Sequence, residues 1–413
     1  MNYKIADRGL APAGKKKIEW AAQYMPVLGL LGEKYRNEQP LAGEVISACL
    51  HLEAKTACLL LTLKDLGARV AAAGSNPLST QDDVCAALVE GGVEVYSRNG
   101  MTSEEYFENA RAALSVEPSI IVDDGADLVA MVHTRMRELL PRIKGGSEET
   151  TSGVKRLRSM NSGGVLAFPM ISVNDAHSKY LFDNRYGTGQ SVMDGLLRTT
   201  NMLIAGKTVV IAGYGWCGRG VAMRASSMGA RIIVTETNPH RAFEALMDGC
   251  EVASMDEAAP RGDIFLTLTG NTRVIRKEHF EKMKDGVILG NAGHFDVEIC
   301  KPDLNGLAVS SEAARPGVET FTMDDGRRIH LLGEGRLVNL ACADGHPIEI
   351  MDLSFALQLE SAVYVAKNAM APGLYDVPEE IDRAVMKAKL DSMGISLEKM
   401  TPEQEEYMKS WVE

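Results

Sequence analysis

Between Gly206 and Glu236 the chain reads GKTVVIAGYGWCGRGVAMRASSMGARIIVTE. The β-branched apolar run at 208–212 predicts a buried strand. Gly213-Tyr214-Gly215-Trp216-Cys217-Gly218 predicts a turn into a helix, and the run at 232–235 a second strand ending on Glu236. Strands this apolar need cover on both faces, which a doubly wound α/β sheet provides. Gly213 permits the tight turn. Gly215 lets the backbone approach a pyrophosphate on the helix N-terminus, and Gly218 lets helix and strand pack closely. Three spaced glycines alone are weak evidence, but strand, helix, second strand and acidic cap together predict a dinucleotide site. Glu236 suits free ribose hydroxyls and would repel a 2′-phosphate, so NAD is expected rather than NADP. Arg241 is the one nearby residue that argues otherwise.

A length of 413 residues exceeds one ordinary core and predicts two domains. The net charge of −12 argues against nucleic acid or an anionic membrane surface as partner. The N-terminal MNYKIADRGLAPAGKKKIEWA has no apolar segment of the signal-peptide kind, and no run of about 18 apolar residues marks a membrane span. The seven cysteines are scattered, odd in number and without a C-x-x-C pair. They read as reduced thiols of a cytoplasmic protein. No metal is expected, since the eight histidines show no HExxH spacing.

The first half repeats the strand–helix grammar without the glycine motif. Strands are expected at 45–50, 69–73, 93–96 and 120–122; the first ends at His51 and the last at Asp123-Asp124. Ligands of open α/β sheets lie beyond such strand ends, which marks this half as the substrate domain. The overall expectation is two doubly wound Rossmann-like domains with parallel sheets. Residues 1–188 with 347–373 would bind substrate, the helix at 347–366 crossing back to join them. Residues 189–346 would bind NAD. Residues 374–413 would form a helical tail of two short helices, capped at Thr401 and Asp376, that docks on a neighbouring subunit.

Taken one by one, the polar residues of these turns stay open to two readings. His51 suits a hydrogen-bonded structural role as well as a catalytic one. Asp123-Asp124 before Gly125 suits a helix cap. The stretch 148–153, EETTSG, suits a solvated loop, and 174–184 a polar interdomain linker. Together with Asn291-Ala-Gly293-His294, Asn339 and Gly345-His346 they provide the imidazoles, carboxylates and lysine that proton abstraction requires.

In these same segments the chain resembles the S-adenosyl-L-homocysteine hydrolase (adenosylhomocysteinase) family. The matching runs are CLHLEAKTA, STQDD, VDDGADL, SEETTSGV, VNDAHSKYLFDNRYG, VVIAGYGWCGRG, MDEA, NAGHFDVEI and LLGEGRLVNLACADGHP, in the family's order over nearly the whole chain. The resemblance implies reversible hydrolysis of a nucleosyl-homocysteine. NAD⁺ oxidises the ribose 3′-hydroxyl, a base removes the acidified C4′ proton, homocysteine leaves C5′, water adds, and the ketone is reduced again. It implies that Lys179 and Asp183 deprotonate and hold the 3′-hydroxyl, that Glu149 binds ribose hydroxyls, and that Asp124 is the acid/base at C4′. His51 and His294 would serve the leaving group and water. His346, at the substrate gate, and Met351 would line the substrate site with Glu53, Lys55 and Thr56. For NAD it implies Thr150, Thr151, Ser152, Asn174 near the nicotinamide, Asn184, Gly213, Tyr214, Gly215, Trp216, Cys217, Gly218, Glu236, Asn271, Asn291, Gly293 and Asn339.

A homotetramer is implied as well, with a small-molecule substrate and no other partner. Thr188 stands where the family commonly has a cysteine, so no thiol is expected there. The chain ends at Trp411-Val412-Glu413, short of the basic tail of longer members, which puts a tail contact with a partner's NAD in doubt. Typical adenosine-using members carry threonine and glutamate where Glu53 and Lys55 stand. An ammonium only donates hydrogen bonds, which suits the carbonyl of hypoxanthine, while Glu53 would accept from N1. S-inosyl-L-homocysteine is therefore the expected substrate and S-adenosyl-L-homocysteine the alternative. On the bland reading Lys55 turns to solvent or pairs with Glu53. The rival class is a plain NAD-dependent dehydrogenase of a hydroxy or amino acid, which would accumulate free NADH.

Overall fold

The computed structural model describes residues 2–411, so Val412 and Glu413 of the expected tail lie outside the described residues. Six strands form along the first part of the chain: β1 (Val45–Leu50), β2 (Arg69–Gly74), β3 (Glu94–Tyr96), β4 (Ile120–Asp123), β5 (Gly145–Glu148) and β6 (Pro169–Ser172). Eight follow in the central part: β7 (Thr208–Ala212), β8 (Arg231–Thr235), β9 (Glu251–Val252), β10 (Ile264–Thr267), β11 (Val287–Asn291), β12 (Ala308–Arg315), β13 (Val318–Met323) and β14 (Arg328–Leu332). The last, β15, is Gly373–Asp376.

The first sheet has the order β15-β6-β5-β4-β1-β2-β3 and is parallel throughout. The second has the order β12-β13-β14-β11-β10-β7-β8-β9. Both wind outward from a central strand, β1 or β7, and resume on its other side with β4 or β10. Each therefore has a switch point where the two windings diverge and leave a crevice beyond the strand ends. In β1 and β7 nearly every residue is buried, as double-sided cover requires.

The second sheet is mixed rather than parallel, because β13 runs antiparallel to both β12 and β14. Tight turns at Gly317 and Gly326, both with positive φ, are too short for a crossover. The helix Ile348–Lys367 spans the first sheet's layer and delivers β15, which pairs with β6 across the expected boundary at 373/374. Asp376 therefore ends a strand and caps no helix; the next helix, Glu379–Ser392, starts after Pro378. It buries Val385 in the first sheet's core and caps an inner helix: Asp382 accepts from the backbone N–H of His177 and Ser178. It is thus part of the first sheet's layer. Thr401 does cap its helix, Pro402–Lys409, in a capping box, and that helix buries nothing within the chain. No helix of the described residues is long and apolar enough to cross a membrane.

Candidate active site

At the first switch point β1 delivers His51 and β4 delivers Asp123-Asp124. Capping falls to Asp123, whose Oδ2 accepts from Val129 N, 3.0 Å away, in the helix Asp127–Thr134. Glu148, at the end of β5, accepts from Gly125 N and Ala126 N. With the helix start satisfied, Asp124 faces the crevice. Its Oδ2 lies 3.2 Å from His51 Nε2 and its Oδ1 3.6 Å from His294 Nδ1. Gly125, at φ +112°, is needed for that approach, since a Cβ there would stand 2.6 Å from His294 Nε2. Ser79 donates to Asn76 O, so its Oγ accepts from His51 Nδ1–H at 2.7 Å. His51 Nε2 is thereby turned towards Asp124, and the pair can share one proton. Burial pulls His51 down to about 4, against the raising effect of Asp124. Burial lifts Asp123 to about 7.

The second cluster depends on an unusual winding. The one-turn helix His177–Lys179 runs into a π-helix, Tyr180–Gly187, and then into the α-helix Thr188–Thr200. The wider π turn brings residues four and five apart to one side. Lys179 Nζ thereby lies 3.2 Å from Asp183 Oδ1 and 2.8 Å from Asn184 Oδ1. Glu149 Oε1 is 3.5 Å from the same ammonium. Burial lowers the Lys179 value, but the Asp183 and Glu149 carboxylates outweigh it and hold it above the usual range. Burial raises Asp183, while Lys179 and His346 outweigh it and hold Asp183 below its usual range. Burial lifts Glu149 to about 7, against the lowering effect of Lys179. His346 Nδ1 is 3.3 Å from Asp183 Oδ1, and its Nε2 is 3.2 Å from Thr188 Oγ1.

Both clusters, with Glu53, Lys55, Thr56 and Met351, line one cavity of about 140 Å³. Glu53 caps the helix Ala54–Asp65, accepting from the backbone N–H of Lys55 and Thr56 and from Thr56 Oγ1. Lys55 Nζ sits 2.7 Å from Glu53 Oε2 and donates to Asp344 O. Of the two readings of Lys55, the structure has the pair with Glu53. The carboxylate's acceptor sites are thus taken, and the expected acceptance from purine N1 loses its acceptor. One ammonium hydrogen of Lys55 remains.

Thr150, Thr151, Asn184, Cys217, Ala292 and His294 line both this cavity and a cleft of about 900 Å³ over the second switch point. That volume lies in the usual range for small-molecule sites. Gly213, Gly215, Trp216, Ser152, Glu236, Asn271 and Gly293 line the cleft. Gly213 has φ +97°, and a Cβ on Gly218 would meet Gly213 O at 2.0 Å. Glu236 accepts from the N–H of Tyr214, Thr237 and Asn238. Burial raises its value, but these donors hold it below the usual range. Arg241 Nη1 lies 3.8 Å from where a Gly215 Cβ would stand, so a cation flanks the glycine turn. Asn339 Oδ1, in the inner cavity, is buried without a donor, which suits a carboxamide N–H.

Four expected cofactor residues line neither the cleft nor the cavity. Tyr214 turns its hydroxyl to Asp248, and Gly218 serves the turn. Asn174 sits behind Lys179, accepting from it and from Thr151 and Asn184. Asn291 donates to the carbonyls of Gly293, Phe295 and Gly335 and so shapes the His294 loop. Thr188 Oγ1 donates to Cys217 Sγ at 3.6 Å. Sequence reasoning missed Ser79, Ser354 and Gln358. Ser354 donates to Asp183 Oδ2 and Gln358 to Glu149 Oε2. The signal for Ser354 and Gln358 was isolated polar residues within a helix that otherwise reads as apolar; Ser79, in a loop, left none.

A family model described as "S-adenosyl-L-homocysteine hydrolase" matches residues 2–139, and one described as its NAD binding domain matches residues 184–345. A Thermococcus kodakarensis protein named adenosylhomocysteinase is 58 % identical over 412 residues, covering 99 % of this chain and 98 % of that one. A Methanopyrus kandleri protein named S-inosyl-L-homocysteine hydrolase is 58 % identical over 414 residues, covering 100 % and 98 %. A Methanocaldococcus jannaschii protein of the latter name is 54 % identical over 413 residues, covering 100 % and 99 %.

Proposed function

Since the chain belongs to the S-adenosyl-L-homocysteine hydrolase family and is an NAD-dependent enzyme, we propose that it splits S-inosyl-L-homocysteine into inosine and homocysteine through a 3′-keto intermediate. The observation that carries the reading is two buried proton-transfer clusters in one cavity that joins the glycine-lined cleft. NAD⁺, when bound, supplies reversible oxidation of the ribose 3′-hydroxyl and a positive charge that makes the Lys179 ammonium easier to deprotonate. Glu236 would hold its ribose, the Gly213–Gly218 turn its pyrophosphate, and Thr150, Thr151, Ser152, Asn184 and Asn339 its inner end.

Lys179 and Asp183 hold the 3′-hydroxyl and take its proton. Glu149 Oε1, which has no hydrogen-bond donor of its own, accepts from a ribose hydroxyl. Asp124 removes the C4′ proton. His51 and His294, the two imidazoles beside it, exchange protons with the departing sulfur and the entering water. Each such transfer is worth typically about 10²–10⁴-fold. In the resting cavity Lys179 is held charged, so it orients the oxygen first and acts as base only when that charge is opposed.

The purine preference rests on the remaining hydrogen of Lys55, which meets a carbonyl and finds no acceptor on an exocyclic amine. Such a mismatch costs roughly 1–3 kcal/mol, about ten- to a hundredfold in kcat/KM. Relatives of both names are equally similar and do not vote. The decisive measurement is kcat/KM for the inosyl and adenosyl thioethers; preference for the adenosyl compound sinks the assignment, and Lys55→Glu should shift the ratio towards adenosine. We also infer a homotetramer. Trp411, Met408 and Tyr407 are exposed on the final segment. Deleting 401–413 should weaken assembly or NAD retention, and a fully active monomer by light scattering would refute the assembly.

A further inference from the structure

We propose that His51 Nε2, the Asp124 carboxylate and His294 Nδ1 form a chelating site for a divalent cation of the zinc class, and that this ion and the nucleoside exclude each other. Among the described residues His51, Asp124 and His294 form the one cluster of three potential metal ligands, with one ligand atom of each within 4.8 Å of the others. A tetrahedral ion with bonds of about 2.0–2.1 Å needs ligands about 3.3–3.4 Å apart. His51 Nε2 is 3.2 Å from Asp124 Oδ2 and His294 Nδ1 is 3.6 Å from Asp124 Oδ1, so each imidazole stands near that edge length from one oxygen of the carboxylate.

Orientation is the second, independent observation. Metal-bound histidines donate their other ring N–H to a fixed acceptor, which settles the tautomer and aims the lone pair. Ser79 does this for His51, because its own hydrogen goes to Asn76 O. Two imidazoles and one carboxylate with a fourth position open to the cavity are the ligand count of an open zinc site. The ion and the proton shared by His51 and Asp124 are alternative occupants of the same lone pairs. Bound metal therefore removes the acid–base group and fills the space beside it. That consequence for activity rests on the proposed function; the binding itself does not.

The test uses the NAD-loaded protein, stripped of metal with a chelator and titrated with Co²⁺ alone. A tetrahedral-type visible band should saturate at one ion per chain and disappear when Zn²⁺ or inosine is added. His51→Gln and His294→Gln should each weaken binding at least tenfold, and Ser79→Ala by about ten- to a hundredfold. The proposal is overturned by no saturable binding, by binding unchanged in both histidine variants, or by a thiolate charge-transfer band pointing to Cys217. If the histidine variants do not fold, parental protein whose Co²⁺ is untouched by nucleoside overturns it as well. Displacement by inosine in a protein that hydrolyses neither thioether would refute the proposed function and leave the site standing.

Discussion

The two switch points share one topology and solve opposite problems. At the second, between β7 and β10, the chain clears space: glycines draw the backbone back and N–H groups and Glu236 line an open cleft. At the first, between β1 and β4, it fills space with His51, Asp124 and the carboxylates and lysine behind them, nearly all buried. A cleft of backbone donors suits an anionic ligand held in the ground state. A cavity of coupled titratable groups suits protons in motion.

The largest expected effect breaks the first site alone. Lys179→Ala and Asp124→Ala should each lower kcat by about 10²–10⁴-fold with NAD content unchanged. They should separate on mixing with nucleoside: Asp124→Ala still forms bound NADH, while Lys179→Ala forms none. Parental rates in both variants would refute the role assignment.

The first site should also couple to stability through pH, and in the opposite direction to the cleft, whose Glu236 is held below its usual range. Burial lifts Glu149 from 4.5 to about 7, so between those values the folded state binds more protons than the unfolded state. Stability attributable to this group is present below about 4.5 and is lost as pH rises to about 7, by roughly 3 kcal/mol at most. Melting curves of Glu149→Gln against the parent should show that loss removed; identical pH profiles would place the group outside the coupled cluster.

One substitution made at both places sharpens the contrast. Gly218→Ala drives a methyl into Gly213 O and should lose NAD along with about 1–3 kcal/mol of stability. Gly125→Ala, at φ +112° and against His294, should keep NAD and lose rate instead. Equal NAD loss in both would mean the two regions are not separable.

The same asymmetry explains what could be read in advance. The cleft is made by contiguous residues whose backbone needs only glycine satisfies, so its spacing survives in sequence. The cavity gathers residues from 50 to 355, and in sequence each polar residue resembles a cap or a loop. Asp123 and Asp124 are adjacent and alike, yet one caps a helix and the other faces two histidines, a division set by which carbonyls and N–H groups β4 and β5 leave open. The antiparallel β12–β14 and the polar face of Ile348–Lys367 depend on tertiary pairing and left only turn glycines and isolated polar letters.

The smallest expected effect tests the cleft at its one carboxylate. Glu236 is held by three backbone N–H groups and stands partly in solvent, so its charge is screened and its geometry comes from the backbone. Glu236→Gln keeps one acceptor oxygen on those donors and loses the charge. A single hydrogen bond to a charged group is worth about 1.5–3 kcal/mol, and partial exposure places this one at the lower end. Reconstitution of NAD-free protein should then show NAD affinity about tenfold weaker, with discrimination against NADP reduced because nothing repels the 2′-phosphate. The equivalent change in the buried cavity, Asp183→Asn, removes the charge opposite a buried Lys179 and should cost the protein far more. If the two variants lose comparable amounts, burial does not distinguish the two switch points and the contrast between cleft and cavity fails.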